Sequence, residues 1–138
     1  MTAVERLVIP LGTTHDLAHI GTWAEGCCAE SGITGQAAYH VQLAVDEACA
    51  NIFEHGYEGH AGPVQLEAKG SAEALTIWIR DWGLSFDPES ISKPNPTTPI
   101  EERAIGGLGI YLMHQVMDEV VYQFDVGNGN KLKLVKRK

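Results

Sequence analysis

Five stretches of the chain have the alternation of apolar and polar residues, or the composition, that predicts β-strands. In the clearest of them Leu75, Ile77 and Ile79 share one face, while Thr, Trp and Arg side chains occupy the other. A short polar turn before this stretch indicates a hairpin, and Asn128-Gly129 suits the turn of a second hairpin. The predicted strands are residues 4–11, 63–69, 74–80, 120–124 and 132–135.

Apolar residues recur at helical spacing elsewhere in the chain. Thr13, Thr14 and Asp16 offer capping oxygens at the start of the first helical segment, and Gly56 suits the C-cap of the second. The predicted helices are residues 15–30, residues 34–55 and a short one that follows a glycine-rich segment and ends near Met117. The core stripe of the second helix is formed by Val41, Val45, Ala48 and Ile52.

The resulting order, β-α-α-β-β-α-β-β, predicts an α+β fold with two layers, in which a mixed, mostly antiparallel sheet has its helices on one face. The chain of 138 residues is about the size of one domain, so residues 1–138 are expected to form a single unit. Residues 82–104 contain several prolines and no sustained periodicity. A loop of this length is usually functional, and we expect residues 87–104 to become ordered when a ligand binds.

Composition and charge argue against some classes of function. The net charge of −8 argues against binding to nucleic acid, because a phosphate backbone would be repelled. The basic run from Lys131 to Lys138 is interpreted as a solvated edge strand. The three cysteines form no even set, which predicts reduced, buried thiols. No apolar run approaches the length of a membrane span and the N-terminus lacks a signal sequence, so a cytoplasmic protein without membrane contacts is expected.

Glu47, Asn51 and His55 recur at intervals of four on the second predicted helix and form a polar stripe beside its core stripe. At the edge of a pocket such a stripe supplies a carboxylate base and an amide oxygen for a hard cation. A solvated helix face would show the same pattern, so the stripe alone does not decide between the two interpretations.

Two glycine-containing segments carry the other candidate residues. Asp81-Trp82-Gly83 stands where a buried strand ends. Asp81 can accept a hydrogen bond from an exocyclic amine there, and Gly83 lets a flat ring approach the backbone. An ordinary turn would show the same residues. Phe86 is either a core anchor or a residue that packs on such a ring. Gly106-Gly107-Leu108-Gly109 precedes a helix and suits a phosphate cradle or a hinge, but it lacks the lysine and hydroxyl residue of a Walker P-loop.

Taken together, the order and spacing of these segments resemble the GHKL family of ATP-binding domains, which share the Bergerat fold. Glu47 to Asn51 (EACAN) is similar to the family's N box, Asp81 to Phe86 (DWGLSF) to its first glycine box, and Gly107-Leu108-Gly109 to its second. The match covers roughly residues 40–135. Glu47 to Tyr57 (EACANIFEHGY) and Gly106 to Asp118 (GGLGIYLMHQVMD) most resemble the bacterial anti-sigma-factor serine/threonine kinases.

This resemblance implies a role for each matched residue. Glu47 would be the general base, and Asn51 would coordinate Mg²⁺ on ATP. Asp81 would hydrogen-bond the adenine amino group, with Gly83 giving clearance. The remaining nucleotide contacts would come from Phe86, Gly106, Gly107, Leu108 and Gly109. Arg103 would reach the γ-phosphate or be a surface arginine beside two glutamates, and His55 would shape the pocket.

Two departures from the family pattern stand out. Ser85 occupies the place of a second glycine, and Asn130 and Lys131 stand where a small hydroxyl residue often contacts the nucleotide. The resemblance implies a kinase that phosphorylates an anti-sigma-antagonist protein and sequesters a sigma factor. The alternatives are a module that binds ATP and acts by sequestration alone, or another GHKL function. Dimerisation is common in the resembled family, so a homodimer is an expectation as well.

Overall fold

The structure is a computed structural model that describes residues 4–84, 107–125 and 129–138. The elements follow the predicted order and have these bounds: β1 Val4–Gly12, a 3-10 turn Thr14–Asp16, α1 Leu17–Ser31, α2 Gly35–Asn51, a π-helical turn Ile52–Gly56, β2 Gly62–Gly70, β3 Ala74–Asp81, α3 Gly107–Val116, β4 Glu119–Asp125 and β5 Gly129–Arg137. None of the helices in these described residues is long and apolar enough to cross a membrane.

The five strands form one sheet in the order β1-β2-β3-β5-β4. Each strand pairs antiparallel with its neighbour. The α+β fold with helices on one face is therefore confirmed, and within the described residues the sheet is antiparallel throughout rather than mixed. Both predicted hairpins, β2–β3 and β4–β5, are present.

Alternation along the strands directs one set of side chains into the core. Leu66 of β2, Ile77 of β3 and Leu134 of β5 are fully buried beneath the helical layer. Helix α2 is the middle helix of that layer, because it packs against both α1 and α3. Val41 and Val45 of its predicted core stripe are also fully buried. The position of α2 brings its last turns to the same end of the molecule as the start of α3.

Local signals define where the first helical segment begins and ends. Thr13 and Asp16, two of the predicted capping residues, form a reciprocal capping box at the 3-10 turn that leads into α1, in which each side chain accepts a backbone N–H. Gly32 ends the helix in the left-handed conformation with φ of 76°. All three cysteines are free and buried, as expected.

The second predicted helix differs in its last turn. Regular α-helix ends at Asn51, and Ile52–Gly56 forms a π-helical turn closed by the hydrogen bond from Tyr57 N–H to Ile52 O at 2.8 Å. The wider turn accompanies tight packing of Phe53, whose ring would lie 2.7 Å from a Cβ on Gly12. Single π turns within helices are frequent at functional sites.

The open face of the sheet is basic. Strand β5 lies between β3 and β4, so the prediction that its lysines occupy an edge strand is wrong. The strand register places these cations on the open face: Arg6, Lys69, Arg80, Lys131, Lys133 and Arg137. Among the side chains that the structure describes, the acids of the same face are Glu67, which pairs with Arg6 at 3.3 Å, and Glu119, which pairs with Arg137 at 3.6 Å.

Candidate functional site

Glu47 lies near the C-terminal end of α2, where its carboxylate meets the first turn of α3. Gly109 of that turn is buried against it, and a Cβ on Gly109 would overlap the Oε2 atom of Glu47. A larger residue at this position would require the Glu47 side chain to shift. The predicted base and the predicted phosphate-binding segment are therefore neighbours in space.

The environment of Glu47 favours its protonated form more than water does. Burial is the main cause of its raised pKa, and the carboxylates of Asp46 and Glu54 raise the pKa further. No salt bridge to Glu47 is formed within the described residues. A partly buried carboxylate with a raised pKa has the property that a general base needs.

Asn51 lies one helical turn beyond Glu47. Its amide nitrogen Nδ2 is buried and has no hydrogen-bond partner among the described residues. A buried polar atom without a partner is uncommon and costs free energy. Because a half-turn of the amide exchanges its nitrogen and oxygen, the group can present either atom to a ligand.

Asp81 ends β3 with its carboxylate held in place by two donors. Its Oδ1 accepts hydrogen bonds from the backbone N–H of Gly83 at 2.9 Å and from Nδ2 of Asn130 at 3.1 Å. Asn130 also donates to the carbonyl oxygen of Gly83 at 3.1 Å. Burial raises the pKa of Asp81, and the hydrogen bonds from Asn130 and Gly83 oppose that rise. Both of these hydrogen bonds are to Oδ1, and none to Oδ2 is formed within the described residues.

The segment after Asp81 packs directly on the π-helical turn. A Cβ on Gly83 would lie 2.6 Å from the carbonyl carbon and oxygen of Gly56, and Leu84 N–H donates to the same oxygen at 2.8 Å. Gly83 therefore has a packing role on the protein side, in addition to the clearance for a ligand that its position suggests.

Replacement of Gly83 by alanine should lower the free energy of unfolding by about 1–3 kcal/mol, because the added methyl group meets backbone atoms that cannot move independently. Urea denaturation would measure the change. Gly21→Ala in α1 is the matched control, since its Cβ would meet nothing within 4 Å. An equal, small effect of both substitutions would contradict the close packing.

Replacement of Asn130 by alanine should destabilise the protein by about 1–3 kcal/mol, because buried acceptors lose their donor. Asn130 is 8% exposed, whereas its neighbour Lys131 is exposed, so Lys131→Ala serves as the control. Thermal denaturation of the two variants would test the difference. Unchanged stability in Asn130→Ala would show that the hydrogen bonds to Asp81 and Gly83 contribute little.

The structure brings the predicted residues together in two groups that share the end of α2. Glu47 lies against Gly109, and Gly107 and the backbone of Leu108 belong to the same first turn of α3. Asp81 and Gly83 form the second group, which contacts the turn that follows Asn51. Three other predicted residues lie outside the described residues: Phe86, Gly106 and Arg103.

Two contributors were missed by sequence reasoning. In the sequence, Asn130 is only a departure from a family pattern, because its contact with Asp81 depends on the register between β3 and β5. Tyr57 is the last residue of the segment EACANIFEHGY, and the sequence predicts no role for it. Its hydroxyl contacts the backbone next to Asp81, and the only sequence signal for this is its place just after a helix end.

Comparison with known proteins agrees with this geometry. The family model described as "Histidine kinase-like ATPase domain" matches residues 12–136. Among similar proteins, the serine-protein kinase RsbW of Bacillus licheniformis is 34% identical over 109 residues, which is 70% of this chain and 68% of the relative. The RsbW of Bacillus velezensis is 31% identical over 107 residues, 74% and 67% of the two chains.

A third relative extends the same picture. The serine-protein kinase RsbW of Bacillus cereus is 30% identical over 106 residues, 74% of this chain and 66% of the relative. The chain thus spans about two thirds of the length of these relatives. The motifs, the fold and the family match agree, and the chain belongs to the family of histidine kinase-like ATPase domains, the GHKL group that its three motifs predicted.

Proposed function

We propose that this protein binds ATP with Mg²⁺ and transfers the γ-phosphoryl group to a serine or threonine hydroxyl of an anti-sigma-antagonist protein. The observation that carries the proposal is the Glu47 carboxylate, which has a raised pKa and lies against Gly109 at the start of α3. Relatives that cover most of the chain are named serine-protein kinases. The same domain is proposed to sequester a sigma factor when the antagonist is phosphorylated.

At the adenine end of the site, Asp81 is proposed to accept a hydrogen bond from the exocyclic amino group of ATP through Oδ2. Its other oxygen is already engaged by Gly83 and Asn130, so the carboxylate has one defined orientation. A carboxylate held this way favours a base that presents a donor over one that presents an acceptor.

The donors present fit a magnesium ion that arrives with the nucleotide. No group of three or more His, Cys, Asp or Glu side chains that could hold a metal occurs in the part of the chain that the structure describes. Mg²⁺ at nucleotide sites is typically bound by one or two protein oxygens together with substrate phosphates. The unpartnered amide of Asn51 would supply such an oxygen, and the bound ion would neutralise charge on the phosphates.

At the phosphate end of the site, Glu47 is proposed to accept the proton of the attacking serine or threonine hydroxyl. The oxygen of that hydroxyl bonds to the γ-phosphorus while the bond between the γ-phosphorus and the ADP oxygen breaks. Backbone N–H groups of Gly107 and Gly109, in the first turn of α3, would face the phosphates. Phe86, Gly106 and Arg103 keep the roles that the sequence predicted for them.

A transfer assay tests this proposal. The purified protein would be incubated with ATP labelled in the γ-position, Mg²⁺ and an anti-sigma-antagonist protein from the same genome, and phosphate on the antagonist would be measured. Label on a serine or threonine of the antagonist is expected. Nucleotide binding without any transfer would overturn the kinase proposal.

One observation favours a second candidate, a module that binds ATP and acts by sequestration alone. In the structure, Glu47 Oε2 lies against Gly109 in the first turn of α3, which leaves less room for an attacking hydroxyl beside that oxygen. Calorimetry that shows ATP binding without turnover in the presence of both partners would favour this candidate.

A further inference from the structure

The hydroxyl of Tyr57 ties together two chain segments that are distant in sequence. It donates a hydrogen bond to the carbonyl oxygen of Pro63 at 2.6 Å, where β2 begins. It accepts one from the backbone N–H of Trp82 at 2.9 Å, just after β3 ends. A phenol has one proton to donate and oxygen lone pairs to accept, so both contacts can exist at once.

The ring of Tyr57 has little freedom to move. A Cβ on Gly62 would lie 2.6 Å from three ring carbons, so the ring packs flat against a position that only glycine leaves open. A phenol is protonated at neutral pH and so can donate to Pro63, and burial, the main reason why the pKa of Tyr57 is raised, acts in the same direction.

The two partners of the hydroxyl place it beside the adenine end of the site. Trp82 stands between Asp81 and Gly83 in the chain. Its N–H is held by Tyr57, and two residues later Leu84 N–H is held by Gly56 O at 2.8 Å. Both anchors belong to the chain that directly continues α2. The segment that carries Asp81 is therefore fixed to the helix that carries Glu47 and Asn51.

We propose that Tyr57 is a positioning residue that sets where the Asp81 carboxylate meets the base of the nucleotide, and so contributes to discrimination between 6-amino and 6-oxo purines. This inference rests on the proposed function, since it assumes that ATP occupies the site. It adds a residue outside the three family motifs, acting through the backbone of Trp82 rather than by touching the nucleotide.

A structural role alone would behave differently. If the hydroxyl of Tyr57 only stabilised the fold, its loss would lower the melting temperature and change the affinity for all nucleotides alike. If the hydroxyl positions Asp81, its loss lowers the affinity for the nucleotide whose amino group Asp81 recognises and leaves the affinity for a 6-oxo nucleotide almost unchanged. The ratio of the two affinities separates these cases.

The experiment compares MgATP and MgITP binding by calorimetry for the wild-type protein and Tyr57→Phe. The variant keeps the ring and removes both hydrogen bonds, so a loss of about three- to tenfold for ATP and less than about twofold for ITP is expected. In transfer assays its KM for ATP should rise while kcat changes by less than about twofold. Tyr39→Phe is the matched control, because Tyr39 is 63% exposed.

Gly62→Ala provides an independent variant, because its methyl group displaces the ring of Tyr57 without changing the hydroxyl. It should lower the ATP-to-ITP affinity ratio in the same direction, and it decides the matter if Tyr57→Phe does not fold. An unchanged ratio in the folded variant would overturn the inference while leaving ATP binding intact. A wild-type protein that binds neither nucleotide would overturn the proposed function itself.

Discussion

Replacement of Glu47 by glutamine is expected to lower the rate of phosphoryl transfer by about 10²–10⁴-fold, the usual contribution of a positioned general base. Glutamine keeps the shape of the side chain and its contact with Gly109, but it cannot take the proton of the attacking hydroxyl. Affinity for MgATP should stay within about threefold, because loss of one negative charge near the phosphates does not weaken anion binding.

Single-turnover transfer to the antagonist, together with calorimetric ATP affinity, would measure both quantities. Asp46→Asn, compared at a pH well above the raised pKa of Glu47, is the matched control, since Asp46 is the exposed neighbour of Glu47 and lacks its contact with α3. A Glu47→Gln variant that retains most of the transfer rate would contradict the role of Glu47 as the base, whatever its affinity for ATP.

The same pair of variants gives an expectation for pH. A base must be ionised, so the transfer rate should rise with pH through the raised pKa of Glu47 and level off above it. Asp46→Asn removes one of the charges that raise this pKa, so the acidic limb of its rate profile should move to lower pH. A limb that stays in place would show that Asp46 has little influence on Glu47.

Replacement of Asp81 by asparagine should weaken ATP binding by about 100-fold while leaving the fold intact. The amide keeps an oxygen for the N–H of Gly83, but it turns a donor toward the adenine amino group, and a lost hydrogen bond to a charged group costs about 1.5–3 kcal/mol. ITP, which offers an acceptor at that place, should lose far less. Calorimetry with both nucleotides would measure the change.

The thermal stability of Asp81→Asn should not fall together with its affinity for ATP. The pKa of Asp81 is raised in the folded protein above its ordinary value of 3.8, so the folded state loses stability as pH rises from there through the folded pKa. Asp81→Asn removes that loss, and its melting temperature at neutral pH should equal or exceed that of the wild type. A variant that melts much earlier would show that the ionised carboxylate stabilises the fold.

Local patterns predicted the parts of the site that are local. Glu47 and Asn51 are one helical turn apart, so their proximity follows from helix geometry alone. The caps of α1 and the buried face of β3 follow from residues within a few positions of each other. Phe86, Arg103 and Gly106 lie outside the described residues, so their contacts with the nucleotide stay predictions.

The remaining features depend on contacts between distant segments. Asn130 reaches Asp81 because β5 inserts between β3 and β4, an order that alternation in each strand cannot predict. The contact of Tyr57 with Trp82 requires the π-helical turn after Asn51, and no residue preference in that segment distinguishes a π turn from another α turn. Tertiary packing decides both features.

The basic open face of the sheet is opposite in sign to the net charge of −8. Exposed acids such as Glu25, Asp46 and Glu54 lie on the helical layer, so the described residues present unlike charges on the two sides of the sheet. The Debye length is about 8 Å at physiological ionic strength, so both sets of charges are largely screened beyond that distance, and the force on a macromolecule depends on which side of the protein it approaches. The orientation in which a charged macromolecule approaches this protein therefore decides whether it is attracted or repelled.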